Sequence, residues 1–189
     1  MHVLDAIRTR RTIYDFEPEP LPADTVARLL DSAIWAPNHR LTQPWRFTLI
    51  GPETKTALAR ALGDDRLSDE PEADPALRQT IREKAEQKIL SRPTIVAVTC
   101  LRSEKPSRQT EDLAATAAAI QNIQLAAWAD GIGVQWSTGR VNYLPNTPQS
   151  LGFDEATEQI VGLLFMGRPA KTPAPQKRRP VSEVLRTTP

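Results

Sequence analysis

Cysteine occurs once in this chain, as Cys100, and histidine only twice, as His2 and His39. A single thiol rules out an intrachain disulfide, and these residues fall short of the ligand set of a structural zinc site. No apolar run approaches the ~20 residues that a membrane-spanning helix needs. An excess of one charge is missing as well: 24 Lys and Arg face 23 Asp and Glu, for a formal net charge of +1. No global field therefore selects nucleic acid or an anionic membrane, and any preference for anions has to be local. The opening "MHVLDAIRTRRT" has an acid and an Arg cluster where a secretory signal carries an apolar core, so a cytoplasmic location is expected. A Ser or Cys nucleophile at a motif spacing, a P-loop lysine and a full G-x-G-x-x-G are all lacking. An enzyme without an assembled acid, base, nucleophile or metal set usually draws its chemistry from a cofactor.

What is present is an ordinary globular balance, 40% hydrophobic and 25% charged over 189 residues, which predicts one domain spanning residues 1–189. Val26, Leu29, Leu30, Ala33 and Ile34 recur at helical spacing, with Pro22 near the start, Asp24 in the first turn and Pro37 at the end. "WRFTLI" reads as a strand stopped by Gly51-Pro52, and "ETKTALARAL" returns to a helix. "GDDRLSDEPEADP" reads as a mobile acidic surface connection, with a lid as the alternative. A helix around "ALRQTIREKAEQKIL" precedes the buried strand "TIVAVTC", where Cys100 serves as a small hydrophobe at the strand end.

From Glu111 to Asp130, Ala, Ile, Leu and Trp occupy nearly every face. That pattern predicts a helix buried on all sides, in the core or a subunit interface, with Gly131 as its stop. "GIGVQWSTGR" is a turn into a short strand, "LPNTPQSLGF" a turn or short helix, and "QIVGLLFMG" the last strong strand. The Pro-rich basic tail, residues 168–189, cannot build a core and is expected to drape as an extended arm on a partner subunit. Strands separated by helices predict an α+β or α/β layered domain.

Three constellations could carry chemistry. In "RTRRT", Arg8, Arg10, Arg11 and the hydroxyl of Thr12 suit a phosphate, since guanidinium offers paired donors to two oxygens; the same residues also suit a solvated basic helix end. "APNHRLTQPWRF" crowds amide, imidazole, guanidinium and indole groups into one connector, which is either a ligand loop or a helix-terminal turn. In "GIGVQWSTGR" the glycines permit close backbone approach, and Trp136, Ser137, Thr138 and Arg140 could face a ligand.

Read in order, these segments resemble the nitroreductase family of flavin enzymes. "RRTIYDF" is similar to its R-R-S-x-R-x-F, "APNHRLTQPWRF" to its A-P-S-x-x-N-x-Q-P-W-x-F, and "AAWADGIGVQWSTG" to its A-x-x-x-G-x-G turn. "IVGLLFMGRPA" is similar to the strand closing in G-x-P, and "RRPVSEVL" to the R-x-P-x-x-E ending. The resemblance implies an α+β sandwich with a central, mainly antiparallel sheet, and an intertwined homodimer holding two FMN molecules in its interface. It implies that Arg10, Arg11 and Thr12 grip the phosphate and ribityl chain, with Arg168 assisting. Asn38, His39 and Gln43 would contact the flavin of the opposite subunit, with Trp35 just ahead of them among the cofactor-binding residues. Trp136, Ser137, Thr138 and Gly139 would run beside the isoalloxazine.

Tyr14 stands where the family pattern has a second basic residue, and His39 where many relatives carry small residues. The implied activity is ping-pong hydride transfer from NADH or NADPH through FMN to a nitroaromatic, quinone or enal-like acceptor. A non-catalytic FMN-binding protein is the alternative, and no residue is assigned as an obligatory proton donor. No nucleic-acid or membrane partner is expected.

Overall fold

The strand β3 (Thr94–Leu101) is buried along almost its whole length, because its alternate side chains enter two different cores. Val96 and Val98 point to one face and Ile95 and Ala97 to the other. A strand covered on both faces reads as a continuous apolar run rather than an alternating one. The computed structural model of the chain describes residues 1–188. Its main sheet has the order β2-β3-β5-β4, formed by β2 (Trp45–Leu49), β3, β5 (Glu158–Gly167) and β4 (Gly133–Ser137), with every pair antiparallel. A second, two-stranded sheet that the sequence did not advertise joins β1 (Asp15–Phe16) to β6 (Pro169–Lys171).

On one face lie α2 (Ala23–Asp31) and α5 (Pro106–Ala129), which supply Leu29, Ala119, Ile120, Ile123 and Ala127. On the other lie α3 (Pro52–Ser68), α4 (Pro75–Leu90) and the short α6 (Thr147–Leu151), which supply Leu58, Leu62, Ile89 and Leu151. The chain begins with α1 (Val3–Thr9). This is the α+β sandwich expected, and Cys100 is buried at the strand end as expected.

Two expectations change. The segment "GDDRLSDEPEADP" is not a mobile connection, since α3 continues to Ser68 and only the residues between Ser68 and Pro75 link it to α4. Gly63 is buried where α4 crosses: a Cβ there would stand 3.2 Å from Cγ of Arg82. Three of the acids that suggested a solvated loop are paired, Asp64 with Arg82 at 2.7 Å, and Asp65 and Asp69 with Arg140, each at 2.5 Å. Local acidity was outweighed by tertiary ion pairs and by the apolar spacing of Leu58, Leu62 and Leu67.

The other change is the start of α5, at Pro106 rather than Glu111; within its own chain the helix buries one face, and Ala114 and Gln121 on the opposite side are exposed. It ends where Gly131 adopts φ +72°, a left-handed value that suits glycine after a helix.

β5 carries an irregularity opposite Val98 and Thr99, where Gly162 takes φ +154°. The Trp136 indole packs directly over it, so an added Cβ would stand 2.4 Å from Nε1. Gly162→Ala is therefore expected to cost about 2–3 kcal/mol through strain and overpacking. Urea unfolding with an unchanged m-value measures this, and a loss under 0.5 kcal/mol contradicts the packing described.

Candidate functional site

The end of α1 gathers the first cluster. Arg10 caps the helix, its backbone N–H donating to Ala6. Thr12 and Ile13 are steered toward the sheet edge: Thr12 bridges Val134 in parallel fashion, and the Ile13 N–H donates to the Val134 carbonyl at 3.3 Å. Ile13 can lie this close because Gly133 has no side chain; a Cβ there would meet Ile13 at 2.5 Å. The result is a cavity of about 540 Å³ beside α1, lined by Arg8, Arg10, Arg11, Thr12, Tyr14 and Arg178 among others. Pro173 to Gln176 of the C-terminal tail complete the wall from the same chain.

Four arginines thus line one cavity, and among the described residues no Asp or Glu lines it. Burial, together with the charges of Arg178 and Arg11, pushes the Arg10 guanidinium below its usual value. Like charges held together without counter-ions favour an anion bearing more than one negative charge. Part of Arg11 serves the helix instead, since its Nη1 donates to the carbonyls of Arg8 at 3.0 Å and Arg10 at 2.9 Å.

The second cluster is the connector between α2 and β2. Arg40, Leu41 and Gln43 all have positive φ, at 56°, 52° and 44°. Three left-handed non-glycine residues so close together require outside support. The loop supplies some, as Asn38 Nδ2 donates to the Ala36 carbonyl and its Oδ1 accepts from the Gln43 N–H at 2.9 Å. The N-terminal half of α5 supplies the rest: His39 Nδ1 lies 2.8 Å from Glu111, and the Thr42 hydroxyl donates to Asp112 at 2.7 Å. Trp35 and Leu41 remain 78% and 76% exposed, whereas Trp45 is buried and anchors β2.

The third cluster follows β4. Trp136 is committed internally, its Nε1 donating to the Val161 carbonyl at 3.1 Å, while Thr138 and Gly139 are exposed. Asn142 Nδ2 donates to the Ser137 carbonyl at 2.9 Å. Arg140 clamps the segment to the end of α3 through Asp65 and Asp69, both at 2.5 Å. The hydrogen bond from Arg140 holds the Asp69 carboxyl below its usual range.

The sequence profile of the Nitroreductase family matches residues 7–168. The chain belongs to that family. It is 33% identical over 181 residues, 95% of this chain and 90% of the other, to the Bacillus subtilis (strain 168) protein named "Putative NAD(P)H nitroreductase YfhC". Among solved structures, the Nitroreductase-like family protein from Bacillus cereus aligns with a TM-score of 0.84 and 30% identity, covering 100% of this chain and 96% of that one. A Desulfovibrio desulfuricans protein described as a "putative nitroreductase in complex with fmn" aligns at 0.75 with 26% identity, covering 100% and 98%.

Within this Nitroreductase family chain, Arg10, Arg11 and Thr12 line one cavity, while Asn38, His39 and Gln43 form the strained loop and Ser137, Thr138 and Gly139 a clamped segment. Arg168 lies outside the cavity lining, exposed between β5 and β6. The sequence alone did not place Arg178 in the cavity, nor did it single out the supports Asp112 and Asn142. Only Arg178 had a signal, in the basic tail ending "KRRPVSEVL". Asp112→Ala removes the acceptor of the Thr42 hydroxyl and is expected to destabilise the chain by about 1–2 kcal/mol. Faster amide exchange confined to residues 38–43 checks this, and unchanged exchange there denies Asp112 its supporting role.

Proposed function

We propose that the chain is an FMN-dependent oxidoreductase, working as a homodimer, that uses NADH or NADPH to reduce a small acceptor such as a nitroaromatic, a quinone or an enal-like compound. The observation that carries the reading is the arginine-lined cavity without a carboxylate, whose donor set fits a phosphomonoester. Family membership and the FMN complex of the Desulfovibrio relative support the same ligand. When bound, FMN supplies hydride transfer in two half-reactions, from the nicotinamide donor and then to the acceptor.

The chain's own residues bind and orient. Arg10, Arg11 and Arg178 hold the phosphate, and the Thr12 hydroxyl holds the ribityl chain. Arg178 is assigned here in preference to Arg168 because it lines the cavity and stands close enough to Arg10 to depress its proton affinity. The Ser137–Gly139 segment, exposed at Thr138 and Gly139, would lie along the ring, kept in place by Asn142 and Arg140.

Exposed Trp35 and Leu41 support setting the strained loop in the subunit interface, with Asn38, His39 and Gln43 beside the flavin of the other subunit. The open face of α5 and the exposed Val181, Val184 and Leu185 of the tail support a partner that covers both. The reading assigns no obligatory proton donor, since His39 is paired with Glu111 at the protein surface.

A second reading, FMN binding without turnover, draws on Tyr14, a neutral phenol lining the cavity where the family pattern has a basic residue. Anaerobic addition of NADH and NADPH to the yellow protein separates the two: bleaching near 450 nm with either supports the enzyme, and a flavin that stays oxidised rejects it. Arg178→Ala is expected to weaken FMN binding by about 1.5–3 kcal/mol through loss of a charge-assisted contact. Fluorescence titration checks this, and wild-type affinity would remove Arg178 from the phosphate site.

A further inference from the structure

The sheet-facing side of α5 is otherwise built of Ala, Ile and Thr, apart from Asp112 near its start. Gln124 sits on that side, 7% exposed, where an amide costs free energy unless its hydrogen bonds are met. Its Oε1 accepts from Arg10 Nη1 at 3.3 Å, across 114 residues of sequence. On its other side, Nε2 lies 3.5 Å from Oε1 of Gln121.

We propose that Gln124 is a positioning residue that aims the Arg10 guanidinium into the arginine-lined cavity while leaving its positive charge uncompensated. The inference rests on the reading of that cavity as the FMN phosphate site. Arginine is long and loses much rotamer freedom when fixed, so an anchor on one nitrogen lowers the cost of ordering the others around an anion. The chemistry of the anchor matters. A carboxylate at position 124 would hold Arg10 equally well but would form an ion pair with it, consuming the charge that the phosphate requires. A neutral amide orients without neutralising, and Arg10 is surrounded by Arg11 and Arg178 rather than by acids.

The test compares FMN with riboflavin, which lacks the phosphate, by fluorescence titration of the full-length chain freed of flavin. Gln124→Met keeps length and helix propensity and is expected to weaken FMN binding about tenfold, leaving riboflavin binding unchanged. In an Arg10→Ala background the same substitution should add nothing, because its effect passes through Arg10. Gln124→Glu, nearly identical in shape, should lower the FMN-to-riboflavin preference further.

Equal losses for both ligands in Gln124→Met would show a merely structural role and overturn the proposal. So would an unchanged preference for FMN in that variant while Arg10→Ala loses it, a result that leaves the phosphate reading intact. If Arg10→Ala itself retains the preference for FMN, the phosphate reading falls instead. Should the Met variant fail to fold, the Glu variant decides the matter, and a wild-type preference there overturns the proposal.

Discussion

Everything else in this molecule depends on the pairing of β3 with β5, two strands shielded from water by helices on both faces. Their backbone groups satisfy one another, and their side chains feed two cores at once, so neither strand can slip register without emptying both. That rigidity is what allows irregular segments to be held at the ends of the sheet. The Pro44 carbonyl accepts from the Leu101 N–H at 2.9 Å, tying the strained loop to the end of β3. The segment after β4 starts from a strand fixed along β5.

The three candidate regions share a design in which a polar or charged side chain from a regular element restrains a loop. Asp112 and Glu111 of α5 hold the loop with three left-handed residues, and Asp65 of α3 and Asp69 at its C-terminal cap hold Arg140. Gln124, further along α5, meets Arg10. α5 therefore contributes to the core, to the connector and to the arginine cluster. A single rigid helix sets their relative positions more accurately than loop-to-loop contacts could.

The segments at Arg10–Thr12, Asn38–Gln43 and Trp136–Gly139 stood out as candidates because each combines a residue type with a local spacing that has a chemical meaning. The strands and most helices were legible from apolar periodicity, as the buried run of β3 illustrates. The continuation of α3 through Gly63 to Ser68 was not, since its acids look solvated until Arg82 and Arg140 arrive from distant parts of the chain. The small β1–β6 sheet was hidden for a related reason: two- and three-residue strands carry no periodicity of their own.

By itself, the sequence determined a layered domain of helices and strands, the exclusion of an intrachain disulfide and the presence of a local cationic cluster in a chain of near-zero net charge. These follow from counts, periodicity and short motifs, which need no knowledge of distant neighbours. Only the tertiary structure decided that Arg178 rather than Arg168 lines the cavity, that no described acid lines it with them, and that Gln124 meets Arg10. Whether a charge is compensated depends on which residues the fold brings within a few ångströms, and sequence separation carries no information about that distance.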